Sequence, residues 1–291
     1  MKNPVKRVAA IHDLSGFGRA SLTTIIPILS TMGIQVCPFP TAILSTQTDG
    51  FEDFTFVDLT GHMESYMNHW KRENLDFDCI YSGFLGSPKQ IDIIFKFIES
   101  FKRSSNLIVI DPVMGDNGDL YSTMDINMVE KMRYLIKKAD IITPNFTEAA
   151  YLLNKSDVIS IREDEIKEWL VELSDMGPST VVITSVLDED KENTTDVMAY
   201  DKINNKFWKV DCKYIPVKYP GTGDAFTSVL VGSLLTGDSL PMALNRAAQF
   251  ITNAITASYG FGYPEREGVL LERVLDTLKY PIINSHYELM E

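Results

Sequence analysis

Short, wholly apolar runs alternate along this chain with amphipathic stretches of helical period, and that alternation admits few architectures. Apolar runs at residues 8–11, 34–39, 79–82, 107–110, 140–142 and 180–184 read as strands. The stretches between them read as helices over 20–32, closed by Gly33, then 58–74, 124–138 and 162–176. Ser87-Pro88 is a good helix start, a capping serine with proline in the first turn, and that helix runs to about residue 102. A short helix begins at Asn145. Residues 196–200 and 206–210 read as a hairpin turned by Asn204-Asn205, and the end of the chain as helices over 224–235, 240–258 and 268–278. Strands with no polar face must be covered on both sides. The expectation is therefore an α/β three-layer sandwich, a mainly parallel central sheet with helices on both faces. At 291 residues the chain is long enough for two domains, but α/β domains often reach this length. No linker, repeat or low-complexity segment interrupts it, so one domain over 1–291 is expected.

Ligands of such sheets sit beyond the carboxyl ends of the strands. The residues there are His12 to Gly16, Pro40-Thr41, Gly83-Phe84, Asp111-Pro112, Thr143-Pro144-Asn145 and Ser185, a run of polar groups and glycines. The sharpest segment is Tyr219-Pro220-Gly221-Thr222-Gly223-Asp224, followed by an apolar helix. Two glycines allow a tight turn, and successive amides then point into the space before a helix N-terminus, where the dipole also favours anions. Asp224 at that place either handles a proton or simply caps the helix, and the segment alone does not decide. Asp111 ends a buried strand and Asp116 follows a tight turn. Such carboxylates suit a hydrated magnesium or cap a loop. Asn145 and Glu148 have capping-box spacing, a sufficient structural account. The functional alternative has Glu148 hold a metal-bound water and Asn145 face a phosphate. The Walker pattern is absent. Gly16-Phe17-Gly18-Arg19-Ala20-Ser21 carries two glycines of a dinucleotide fingerprint but has serine for the third, so a plain strand-to-helix turn is the better reading.

The formal net charge is −13, which argues against nucleic-acid or anionic-membrane partners. No apolar run approaches a membrane span, and the basic N-terminus carries too short an apolar stretch for a signal peptide. The three cysteines show no CxxC spacing and the four histidines no zincin pair. A cytoplasmic protein is expected.

The three polar segments, in this order and each after a strand, resemble those of the ribokinase-like superfamily of small-molecule kinases. The finer resemblance is to the pyridoxal/pyridoxamine (vitamin B6) kinase family, which Ser82-Gly83-Phe84-Leu85-Gly86-Ser87 and Asp111-Pro112-Val113-Met114-Gly115-Asp116 carry. The resemblance extends from about Val8 to about Ser258 and leaves the later residues without a role. It implies an ATP-dependent kinase with Asp224 as general base and an anion hole at Gly221, Thr222 and Gly223. Asp111, Asp116 and Glu148 would organise Mg2+, and Asn145 and Ser185 would line the triphosphate. Asp13, Thr48 and Phe84 would form the acceptor pocket, although Phe84 also reads as plain core packing. A homodimer is implied, and a monovalent cation is left open. Three positions depart from the family pattern. Asp13 stands where serine is common, residues 44–50 are one residue longer with glutamine near the usual histidine, and Pro220 replaces a cysteine of some dual-substrate relatives. The accepting ring therefore stays open between a B6 vitamer and a hydroxymethylpyrimidine. A non-catalytic vitamer-binding protein and a nicotinamide-dependent oxidoreductase are the readings outside the kinases.

Overall fold

The structure, a computed structural model, describes residues 3–156, 158, 161–186, 194–281 and 286–290. The first half alternates as expected: β1 (Arg7–Ser15), α1 (Leu22–Thr31), β2 (Gln35–Leu44), β3 (Phe56–Asp58), α2 (Thr60–Arg72), β4 (Cys79–Ser82), α3 (Pro88–Phe101) and β5 (Leu107–Ile110). A two-stranded hairpin, β6 (Gly115–Asp116) and β7 (Asp119–Leu120), precedes α4 (Ile126–Leu135), β8 (Ile141–Ile142), α5 (Phe146–Leu153) and α6 (Glu163–Asp175). Then come β9 (Thr180–Val186), β10 (Thr194–Asp201), β11 (Lys206–Lys213), α7 (Thr222–Thr236), α8 (Leu240–Tyr259) and β12 (Tyr287–Met290).

Ten strands form one sheet in the order β12-β11-β10-β9-β8-β5-β4-β1-β2-β3. The six from β9 through β2 are mutually parallel, and the additions at either edge are antiparallel. Strand period two divides the apolar runs between two cores. Ala9, Ile11, Ile80, Ile108 and Ile110 join α2 to α6 on one face. Val8, Ala10, Tyr81, Val109 and Val182 join α1, α7 and α8 on the other. The expected three layers are thus present. Among the described residues no helix is long and apolar enough to cross a membrane.

Four differences from the sequence reading have physical causes. β2 runs on to Leu44 through Pro38 and Pro40, because β3 pairs only with Ala42 to Leu44 and the prolines lie where that edge is free. The start expected for α2 instead ends β3, and the Asp58 carboxylate accepts the Thr60 N–H at 2.8 Å. The helix expected over 268–278 is two 3-10 segments, Leu271–Arg273 and Leu275–Lys279. Val269, Leu271, Val274 and Leu278 are buried at near-helical spacing, but the Leu270 N–H donates to Ser258 Oγ and the ladder is of the i→i+3 kind. β12 adds a strand there against β11.

The edge ribbon carries a buried ion pair. Lys209 on β11 lies 3.0 Å from the fully enclosed Asp196 on β10 and 2.8 Å from Glu163. Burial pushes Asp196 up to about 6 even beside that lysine. Removing one partner of such a pair strands the other charge. Lys209→Met should therefore lower unfolding free energy by about 3–5 kcal/mol, and adding Asp196→Asn should recover much of it. Urea unfolding checks this. Equal stability of Lys209→Met and wild type would show that the pair does not hold the ribbon.

Candidate active site

The parallel strands deliver their carboxyl ends to one edge, and α7 points its N-terminus at it. Gly221 caps α7 with φ +80, and a Cβ there would lie 2.1 Å from the Arg19 carbonyl oxygen, so only glycine fits. Gly223 is exposed, and a Cβ on it would stand 4.0 Å from Asp111 Oδ2. The first turn of α7 therefore lies beside the carboxylate that follows β5. Thr222 Oγ1 donates to the Tyr219 carbonyl at 3.1 Å, which steadies the turn.

Asp224 sits in the first turn of α7 with its side chain 13% exposed. Its Oδ2 accepts the Ser21 N–H at 2.8 Å, and its Oδ1 is 3.7 Å from His12 Nδ1. Loss of water pushes Asp224 up to about 7, the Ser21 amide opposing the shift and the Asp13 charge adding to it. His12 is fully buried, packed edge-on against Tyr81, and burial lowers it to about 3, so the ring is neutral. Gly83 makes room for it, since a Cβ there would lie 2.2 Å from His12 Cε1.

Two more carboxyl groups face the same space. Asp111 is raised well above the usual range, first by burial and then by the charges of Glu148 and Asp224, with the Thr227 and Thr143 hydroxyls opposing. Glu148 is pushed up to about 8 by burial, against bonds from backbone amides. Its Oε2 accepts the Asn145 N–H at 2.9 Å, closing the expected capping box with Asn145 Oδ1, which accepts the Glu148 N–H at 2.9 Å. The same two residues also hold the hairpin. Glu148 Oε1 accepts the Met114 N–H at 3.0 Å, and Asn145 Nδ2 donates to the Gly115 carbonyl at 2.8 Å. Asp116 on that hairpin pairs with Lys218 at 3.0 Å. Among the described residues no three His, Cys, Asp or Glu side chains converge closely enough to hold a metal ion.

One cleft of about 860 Å³ gathers Asp111, Asp116, Asn145, Glu148, Ser185, Gly221, Thr222, Gly223 and Asp224. Ser185 takes φ +59 at the end of β9 and is exposed to it. The other three expected residues stand outside this lining. Asp13 is buried, and both its oxygens accept serine hydroxyls, from Ser15 at 2.8 Å and Ser21 at 2.5 Å. Thr48 is exposed in a loop held by the buried Gln47, whose Nε2 donates to the Arg266 carbonyl at 2.7 Å. Phe84 is half-buried against the α2–α6 core, and its carbonyl accepts the Thr41 hydroxyl at 3.3 Å. Sequence reasoning gave no role to Ser21, His12 or Lys218. For Ser21 the signal was its place at the third glycine of a broken fingerprint. Lys218 offered none.

A mainly parallel sheet sandwiched by helices, with a glycine-opened helix and an aspartate over a carboxylate-lined cleft, defines a ribokinase-like small-molecule kinase. A protein of Bacteroides thetaiotaomicron, provisionally called a phosphomethylpyrimidine kinase, superposes in its rhombohedral crystal form with a TM-score of 0.96. The two share 53% identity over 100% of this chain and 99% of that one. The orthorhombic form of that protein, with pyridoxal, gives a TM-score of 0.95 at 54% identity, covering 98% of this chain and 100% of that one. The pyridoxal kinase of Lactobacillus plantarum is 31% identical with a TM-score of 0.86, covering 95% of this chain and 97% of that one. A hydroxymethylpyrimidine/phosphomethylpyrimidine kinase of Bacillus subtilis is 25% identical over 257 residues, 88% of this chain and 84% of that one. The pattern of the phosphomethylpyrimidine kinase family matches residues 16–268, and the chain belongs to that family. It is a kinase of the pyridoxal/hydroxymethylpyrimidine type.

The double use of Glu148 has a measurable consequence. Glutamine at this position presents one acceptor oxygen where two backbone amides require one each. Glu148→Gln should therefore cost about 1–3 kcal/mol and lower the Tm, with faster amide exchange at Met114 or Asn145. Unchanged melting and exchange would show that the carboxylate does not hold the hairpin to α5.

Proposed function

We propose that the protein transfers the γ-phosphoryl group of ATP to the 5′-hydroxymethyl group of a B6 vitamer, pyridoxal, pyridoxamine or pyridoxine. The observation that carries this reading is the pyridoxal form of the Bacteroides thetaiotaomicron protein, which is 54% identical to this chain over 98% of it. The local chemistry supports it. A primary alcohol is a weak nucleophile at neutral pH, and Asp224, pushed up to about 7, is matched to removing its proton. As the alcohol oxygen bonds to the γ-phosphorus, the hydroxyl proton passes to an Asp224 oxygen. The bridging bond to the β-phosphate then breaks, and ADP leaves with the electron pair. The amides around Gly221, Thr222 and Gly223 face the transferring group, where fixed donors favour developing charge.

Asn145 and Ser185 would line the triphosphate. Magnesium supplies positive charge to the phosphates, and the donor set fits an ion that keeps most of its waters. Besides burial, the Glu148 charge raises Asp111, the Asp116 charge raises Glu148, and among the described residues no three ligands converge. On the acceptor side, Phe84 at the end of β4 would offer a ring face, and Asp13 and Thr48 lie on the neighbouring segments.

A second reading, phosphorylation of hydroxymethylpyrimidine, is favoured by the family match and by the Bacillus subtilis relative. One experiment separates them. Wild type and Asp224→Asn are assayed with ATP and magnesium against pyridoxal, pyridoxamine, pyridoxine and hydroxymethylpyrimidine. A B6 vitamer should give the highest kcat/KM, and Asp224→Asn should lower kcat by ~10²–10⁴-fold with nucleotide Kd unchanged or tighter. A preference for hydroxymethylpyrimidine would overturn the substrate. Full activity of Asp224→Asn would overturn the mechanism.

A further inference from the structure

Ser21 has a backbone that serine rarely adopts, φ 49 and ψ −133. The position is the third of the broken glycine fingerprint, where glycine would take such angles freely. Serine is strained there, yet its two donors both find carboxylates. The Ser21 N–H donates to Asp224 Oδ2 at 2.8 Å, and the Ser21 hydroxyl donates to the buried Asp13 Oδ1 at 2.5 Å. Asp13 lies opposite a break in the β1–β2 register and is itself steadied by the Ser15 hydroxyl at 2.8 Å. The loop around Ser21 is clamped on both sides. Its carbonyl accepts the Thr24 and Ile25 N–H groups that start α1, and the Arg19 N–H donates to the Glu267 carbonyl at 3.0 Å. The Arg19 carbonyl lies against Gly221 at the cap of α7.

We propose that Ser21 is a positioning residue for Asp224: its hydroxyl, anchored on Asp13, locks a left-handed backbone that aims its amide at Asp224 Oδ2. The amide fixes one oxygen of the carboxylate and leaves Oδ1 for the acceptor hydroxyl. Asp13 acts through this bond and not by touching the acceptor ring. The inference rests on Asp224 being the general base. It also accounts for the serine, since glycine would satisfy the backbone but could not hold it in one conformation.

The test is Ser21→Gly, alone and combined with Asp224→Asn, assayed with ATP and pyridoxal beside a thermal melt. Glycine relieves the strain, so the Tm should be unchanged or higher. Released from Asp13, the amide no longer holds Asp224. Then kcat should fall by roughly ten- to a hundredfold while nucleotide KM stays the same. In the Asp224→Asn background the same substitution should produce no further fall, because its effect passes through the carboxylate. Asp13→Ala should fall with Ser21→Gly, and the double variant of the two should be no worse than either alone. An equal loss of kcat from Ser21→Gly in both Asp224 backgrounds, or a lowered Tm with kcat intact, would overturn the inference and leave the kinase reading standing. Full kcat in Asp224→Asn alone would overturn both.

Discussion

Asp13, Asp111, Glu148 and Asp224 are withdrawn from water at one edge of the sheet, and among the described residues none of them is paired with a lysine or arginine. Each is held by N–H and O–H donors: serine hydroxyls at Asp13, threonine hydroxyls at Asp111, backbone amides at Glu148, and the Ser21 amide at Asp224. Burying carboxylates without cations raises all four. Such a site is incomplete electrostatically until positive charge arrives. The proposed partner, a nucleotide carrying a divalent cation, brings that charge together with the phosphates to be transferred. On that proposal a net charge of −13 is no obstacle to phosphate, since local amides and the incoming cation would act inside the screening length.

The donors that hold these groups also tie distant segments together. Asp13 lies near the end of β1, Ser21 opens α1, Asp111 follows β5, and Asp224 lies in the first turn of α7, 203 residues beyond Ser21. The sheet order β9-β8-β5-β4-β1 sets their strands side by side. Asn145 and Glu148 cap α5 and at the same time suspend the β6–β7 hairpin, so the wall bearing Asp116 depends on side chains that also line the cleft. The capping of α5 by that pair is thus compatible with the proposed role in the cleft.

The layered fold was legible because period-two burial needs apolar residues on both strand faces, which leaves unbroken runs such as residues 107–110. The cleft was legible where glycines and polar residues follow those runs: Asp111, Asn145, Glu148 and the segment from Gly221 to Asp224. Less visible were features set by long-range contacts. Ser21 combines a positive φ with bonds to Asp13, eight residues before it, and to Asp224, 203 residues after it. The burial of His12 depends on a glycine that follows another strand. Near-helical apolar spacing over 269–278 reported burial correctly but not the hydrogen-bond ladder. Asp13 illustrates the limit most clearly. Its position after the first strand marked it for the site, but only the structure shows that both its oxygens are already engaged.

The central claim is that Asp224 works as an ionised base whose ordinary acidity burial has weakened. A carboxyl raised to about 7 is mostly protonated below that pH and ionised above it, so the active form accumulates as pH rises. The direct measurement is the pH dependence of kcat/KM for pyridoxal at saturating ATP, in wild type and Asp224→Asn. Wild type should lose activity about tenfold per pH unit on the acid side of a midpoint near 7, and the variant should show no such limb. A wild-type profile flat between roughly pH 6 and roughly pH 8, or the same acid limb persisting in Asp224→Asn, would contradict it.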